Sequence, residues 1–228
     1  MQGVILAAGR GTRMGALTEH VPKPMLPLLG KPLLAWQLEM LPQAINEVIL
    51  VVGYLQEQIR MYFGEEWQGR KISYVVQTEL NGTGGAIHLA KNMMVGPTLV
   101  MNGDDLYHPD DLSLLIREEL AVLGLAVDHA QLFGLLEHNE AGHLKRITER
   151  PHGYEQGIVN TGAYILSPRF FEYPLVPISA TEFGLPQTLA VMGREHPVTV
   201  LLAHAWQPVG QPEDITRGEI FLQKYGRV

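Results

Sequence analysis

Two cations and a run of small residues near the N terminus carry most of the chemistry legible in this chain. Behind a short apolar run at Val4–Leu6, the residues Ala7, Ala8, Gly9 and Gly11 open a loop whose backbone can press against a ligand. A loop of this kind cradles phosphate. Arg13 adds a fixed fork of donors suited to phosphate oxygens, and Lys23, locked between Pro22 and Pro24, adds a point charge on a stiff backbone. Two cations aimed at one polyphosphate contribute roughly 1.5 to 3 kcal/mol per charge-assisted hydrogen bond. The spacing excludes two common phosphate loops. A dinucleotide fingerprint G-x-G-x-x-G places its third glycine at Met14, whereas the glycine here is Gly15; a Walker A loop needs Gly-Lys-Ser/Thr near Arg13-Met14.

Further along, a carboxylate stands where a cation could be held. Thr98 to Met101 reads as a buried strand ending in Asn102-Gly103-Asp104-Asp105. Magnesium takes one or two carboxylates plus phosphate oxygens, so a carboxylate at a strand end beside a phosphate loop suits Mg²⁺. Asp104 is the expected ligand, and Asp105 reads better as a turn or capping residue before a helix near Asp110. Gln77 ends another strand and is followed by Gly82, Thr83, Gly84 and Gly85; its amide can donate and accept at once, as reading a base edge requires. Glu149 and Asn160 offer the acceptors and donors that vicinal hydroxyls need, with Arg150 available for a phosphate. A plain surface salt bridge between Glu149 and Arg150 is the competing reading.

These residues need elements that bring them together. Val48 to Val52 and Ile72 to Val76 are short strand-like runs, and helical spacing follows Pro32, Leu55 and Ala86. Such alternation predicts an α/β fold, three-layer and Rossmann-like, with a mostly parallel mixed sheet whose ligands bind beyond the carboxyl ends of the strands. Residues 125 to 165 are expected to form a small β-rich lobe: a strand from Leu125 to Leu136, a turn at Asn139 to Gly142, then Leu144 to Thr148. A helix is expected over 181 to 191 opening at Thr181 and Glu182, a last strand over Val198 to Leu202, and a terminal helix from about Pro212.

Composition bounds the partners. The chain has 228 residues, 46% hydrophobic and 18% charged, enough for one globular domain spanning 1–228. No apolar run approaches the roughly 20 residues of a membrane span, and no cleavable leader precedes Val4, so a cytoplasmic setting without membrane contact is expected. The absence of cysteine excludes disulfides and thiol nucleophiles. A net charge of −7 without a basic stripe argues against nucleic acid as a partner. The nine histidines show no H-E-x-x-H spacing, and Tyr164 and Trp206 read as packing residues at the border of the pocket.

The stretch LAAGRGTRM followed by PKPMLPLLGKPLL resembles the signature of the sugar-1-phosphate nucleotidyltransferases. The likeness continues in order through GDD at 103–105, FGLL at 133–136, ERP at 149–151, VNTGAY at 159–164 and WQPVGQPED at 206–214, covering nearly the whole chain. It implies a metal-dependent transfer in which a phosphate oxygen of a sugar 1-phosphate attacks the α-phosphorus of a nucleoside triphosphate, giving an NDP-sugar and pyrophosphate. Carried onto this sequence, the resemblance puts Leu6, Ala7, Ala8, Gly9, Gly11, Thr12, Gln77, Gly82 and Thr83 around the nucleotide. It makes Arg13 and Lys23 catalytic, Asp104 the Mg²⁺ ligand, and Gly134, Glu149, Arg150 and Asn160 the sugar-phosphate site.

Two departures matter. Many relatives carry lysine where Arg150 stands, and aspartate, a second metal ligand, where Pro208 stands. Either Asp104 and nucleotide oxygens suffice, which is the favoured reading, or Glu213 or Asp214 reaches in, or catalysis is impaired and the chain is a non-catalytic regulatory subunit that binds nucleotide-sugar. LAAGxGTRM and Gln77-x-x-x-x-Gly82-Thr83 resemble UDP-sugar enzymes and favour UTP or dTTP. GTGGA also resembles mannose-1-phosphate guanylyltransferases, which use GTP.

Overall fold

In the computed structural model, residues 1–149, 153 and 155–226 are described. The chain opens with strand β1 (Gln2–Ala7), helix α1 (Leu33–Met40), β2 (Glu47–Val52), α2 (Gln56–Phe63), β3 (Arg70–Val76), α3 (Gly82–Leu89) and β4 (Thr98–Asn102). It continues through β5 (Asp105–Tyr107), α4 (Pro109–Leu115), β6 (Ala121–Val127), β7 (Gly134–His138), β8 (Leu144–Glu149) and β9 (Gly157–Leu166). Helix α5 (Leu185–Met192), β10 (Thr199–Leu202), β11 (Trp206–Pro208) and α6 (Asp214–Tyr225) complete it.

The first half is a parallel sheet in the order β3-β2-β1-β4. Its central strands are apolar on both faces because both are covered. In β2, Val48, Leu50 and Val52 enter one core while Ile49 and Val51 enter the other. Leu33, Ile59, Leu112 and Phe221, from α1, α2, α4 and α6, fill the first core; Ile87 and Leu189, from α3 and α5, fill the second. The result is the expected three-layer α/β arrangement. Strand order reverses beside β1, since β2 and β3 lie on one side and β4 on the other. That switch point is where an open α/β sheet leaves a crevice at the strands' carboxyl ends.

Beyond β4 the sheet turns antiparallel, apart from β10, which runs parallel to β6. β9 pairs with β4 (Ala163↔Met101) and with β6 and β7, and β7 and β8 form the expected hairpin. The β-rich stretch is thus a continuation of the main sheet, hydrogen-bonded into it. The strand expected from Leu125 to Leu136 is broken: β6 ends at Val127 and β7 begins at Gly134, with a 3₁₀ turn at Ala130–Leu132. Ala130 is buried against Leu135 and Val159, and its N–H donates to the Glu155 carbonyl, so the chain dips inward there. The helix expected from Thr181 starts instead at Leu185, because Phe183-Gly184 pairs with Val176-Pro177 as a short ribbon. Pro186 then takes a first-turn position that wants no N–H. Val198–Leu202 is not the last strand either; β11 follows and pairs with β5.

Candidate active site

A cleft of ≈ 500 Å³ opens above the carboxyl ends of β1 and β4. Leu6, Ala7, Ala8, Gly9, Gly11, Thr12 and Arg13 line it from β1 and the first loop, Lys23 from the next turn, Gln77 from just past β3, Gly82 and Thr83 from the start of α3, and Asp104 from the turn after β4. Gly134, Glu149 and Asn160 are outside this lining, and Arg150 lies outside the described residues.

Local geometry explains the two cations. Gly11 has φ 66°, a left-handed conformation, and a Cβ there would stand 2.9 Å from the Lys23 Cβ. Only glycine lets the loop fold this close to the lysine. The Thr18 hydroxyl holds that fold by donating to the Gly11 carbonyl at 3.0 Å. Lys23 begins a 3₁₀ turn, is 5% exposed, and donates from Nζ to Asp104 Oδ2 at 2.7 Å. A buried ammonium needs such an anion. Arg13 is exposed and makes no ion pair among the described residues; its guanidinium lies beside Gly210.

The adjacent aspartates have opposite fates. Asp104 faces the cleft, whereas Asp105 is buried and accepts from Asn102 Nδ2 at 3.1 Å. Burial, and then the charge of Asp104, push the Asp105 carboxyl well above the usual carboxylate range. Gln37 of α1 braces this turn by donating to the carbonyls of Asn102 and Asp105, at 2.9 and 2.6 Å. Asp105 is therefore an internal anchor, where sequence suggested an ordinary turn or cap. Gly162, at φ 81°, leaves room for the Asn102 amide, which a side chain there would strike.

Pro208 pairs with Asp105 in the ladder, and the Val209 N–H donates to the Asp104 carbonyl at 2.9 Å, so position 208 stands beside the aspartates. Asp214 is not free to replace a missing ligand. Its buried carboxylate accepts from the N–H groups of Gly210 and Gln211, at 2.9 and 3.0 Å, and from Arg217 at 2.9 Å. Glu213 is exposed and outside the lining. Among the described residues no group of three or more His, Cys, Asp or Glu converges. The donor set facing the cleft fits a Mg²⁺ that keeps one protein carboxylate, Asp104, and takes its other oxygens from phosphate and water.

At the other end of the cleft, Gln77 is buried and donates from Nε2 to Asn81 Oδ1 at 2.9 Å and to the Gly82 carbonyl at 3.4 Å. Its Oε1 makes no bond among the described residues and is the end left for a ligand. The N terminus of α3 opens here, with donor N–H groups that suit an anion. Glu182 also lines the cleft, and nothing in its sequence surroundings singled it out.

A second cluster lies along the antiparallel strands. Gly134 and Glu149 face each other in the hairpin, with the carboxylate 3.1 Å from where a Gly134 Cβ would be. Asn160 donates to the Tyr164 hydroxyl at 2.8 Å and accepts from the Gly162 N–H at 3.1 Å. Burial pushes the Tyr164 phenol up, so it stays protonated and fixes Asn160 rather than merely packing.

A family model described as nucleotidyl transferase matches residues 2–224. The chain belongs to the nucleotidyl transferase family. Its motif resemblance to sugar-1-phosphate nucleotidyltransferases is borne out by relatives of this family. The bifunctional protein GlmU of Methanococcus maripaludis is 33% identical over 232 residues, covering 98% of this chain and 55% of the relative. This nucleotidyl transferase chain thus spans about half the length of the GlmU relatives it matches. A D-glycero-alpha-D-manno-heptose 1-phosphate guanylyltransferase of Campylobacter jejuni is 35% identical over 173 residues, 75% of this chain and 78% of the relative. Among solved structures, a Bacillus anthracis protein provisionally assigned as a glucose-1-phosphate thymidylyltransferase superposes with TM-score 0.87 at 22% identity, covering 97% of this chain and 94% of that one. HddC from Yersinia pseudotuberculosis, complexed with GMP-PN, superposes with TM-score 0.75 at 26% identity, covering 97% and 99%.

Proposed function

We propose that residues 1–228 act as one Mg²⁺-dependent nucleotidyltransferase unit that joins UTP or dTTP to a sugar 1-phosphate, releasing pyrophosphate and an NDP-sugar. The observation carrying this reading is the meeting of Arg13, Lys23 and Asp104 in one cleft at the switch point of the sheet. An oxygen of the sugar phosphate attacks the α-phosphorus in line, and the bond from that phosphorus to the β-phosphate oxygen breaks. Both substrates bring the reacting atoms, so the protein's part is alignment and charge compensation. Arg13, exposed at the loop, is free to swing onto the triphosphate and hold charge as it develops toward pyrophosphate. Lys23 is braced by Gly11 and Pro22 and keeps its ammonium where the sugar phosphate and α-phosphate must meet. Gly9 and Gly11 admit phosphate close to the backbone, and Gln77 with Gly82 and Thr83 contacts the base. Asp104 would hold a Mg²⁺, which would supply Lewis-acid neutralisation of phosphate charge. Gly134, Glu149 and Asn160 take the sugar, with Arg150 near its phosphate. A cytoplasmic setting remains part of this reading.

A second reading substitutes GTP for the pyrimidine nucleotides. The 35% identity to a guanylyltransferase and the likeness to a GMP-PN-bound structure support it. Pyrophosphate release, measured for the common triphosphates against a panel of sugar 1-phosphates, decides between them. Arg13→Ala or Lys23→Ala lowers turnover at least about a hundredfold, as loss of one preorganised donor does. Nucleotide binding without release across the whole panel would instead indicate the non-catalytic regulatory subunit.

A further inference from the structure

The segment running from Ile178 into α5 lines the cleft through Glu182 and reaches the second cluster as well. On the nucleotide side, the Phe183 N–H donates to the Asn81 carbonyl at 2.9 Å, and the Leu185 N–H donates to the Thr83 hydroxyl at 3.1 Å. On the other side, in the first turn of α5, Gln187 donates from Nε2 to Glu149 Oε1 at 2.8 Å. Oε1 is also the Glu149 atom nearest the side-chain-free face of Gly134.

The amide has only one way to sit. Its nitrogen must face the carboxylate, because two oxygens cannot hydrogen-bond without a proton between them, so its oxygen turns inward. That oxygen is buried without a partner, over Gly184, where a side chain would strike it. A buried acceptor left unpaired is unfavourable, and what the arrangement secures is the orientation of Glu149. Glu149 itself is exposed at the end of β8, where an unrestrained carboxylate would sample several rotamers.

We infer that Gln187 is a positioning residue that holds the Glu149 carboxylate over Gly134, aimed to accept hydrogen bonds from the hydroxyls of the sugar 1-phosphate. The inference rests on the proposed reaction, and it adds a residue from a helix that carries no recognised motif. Gln187 acts through Glu149 and touches no reacting atom.

The test is steady-state pyrophosphate release by the full chain, with the best triphosphate and sugar 1-phosphate each varied in turn. Gln187→Leu removes the donor at similar volume. It raises KM for the sugar 1-phosphate about tenfold and leaves KM for the triphosphate within about twofold. Gln187→Glu sets a second carboxylate where the donor was, so the pair shares a proton at acidic pH and repels above it. Its sugar KM therefore climbs with pH more steeply than that of the unsubstituted protein, a signature that lost packing does not produce. A sugar KM unchanged in Gln187→Leu, both KM values raised alike, or a Gln187→Glu profile parallel to the unsubstituted one would overturn the inference while the reaction stands. Failure of the unsubstituted chain to release pyrophosphate with any pair would overturn the reaction, and the inference with it.

Discussion

At the scale of single residues, burial separates side chains that look alike in the sequence. Asp104 and Asp105 are neighbours of the same type, yet one faces the cleft and the other is an interior anchor. Lys23, almost wholly enclosed, depends on Asp104 for its counter-charge. Removing one partner of an enclosed pair leaves the other uncompensated, but Asp104 is 37% exposed, so water relieves part of the penalty. Asp104→Ala should destabilise the chain by about 1–3 kcal/mol in urea unfolding, and adding Lys23→Met should return much of that loss. Additive effects of the two substitutions would show that the pair is not coupled. Gly11→Ala tests the approach of the loop to Lys23. The left-handed φ alone costs about 1–2 kcal/mol, and the new methyl displaces the lysine, so turnover should fall much further than stability. Arg13, Lys23 and Asp104 were legible in the sequence because each sits in a local motif. Asp105 does close the turn from Asn102, but its enclosure went unread because burial is not local, and Glu182 and Gln187 come from a distant segment with no motif of their own.

At the scale of elements, the strand and helix alternation through β4 was readable from apolar periodicity, since each strand is buried on both faces. The errors fell where a turn lacks glycine or proline, as at Asp128–Leu132, and where a two-residue ribbon takes the place of a helix start, as Phe183-Gly184 does by pairing with Val176-Pro177. One element junction is pH-sensitive. The buried Asp111 of α4 accepts from the backbone N–H and ring Nδ1 of His204, at 2.8 and 2.5 Å, and this bond raises the imidazole pKa above its ordinary 6.5. A raised folded-state pKa means that the stabilisation is fully present below pH 6.5 and is lost as pH rises through the folded value. As pH rises above 6.5 the thermal midpoint should therefore fall more in the unsubstituted chain than in His204→Gln. Identical slopes for the two would rule out this contribution.

At the scale of the whole molecule, one sheet carries both halves of the candidate site. Its parallel part ends at the cleft, and its antiparallel part brings Gly134, Glu149 and Asn160 through the pairing of β9 with β4. A triphosphate that binds the cleft stabilises the fold by mass action, about 2.7 kcal/mol at a hundred times its Kd, which thermal shift with magnesium present should register. Chelation of the metal should abolish turnover and magnesium should restore it, since the cleft-facing donor set offers few protein ligands to hold a cation tightly.

The Lys23–Asp104 pair has a consequence for what the cleft will admit. An orthophosphate ion can take over the ammonium but leaves the part-exposed carboxylate to water, and a bare metal ion takes the carboxylate but strands the enclosed ammonium. Only a visitor that carries an anion and its own cation together lets both side chains change partners in the same act. Exchange of both partners at once thus favours an anion–cation complex over either ion alone, chiefly through the enclosed Lys23.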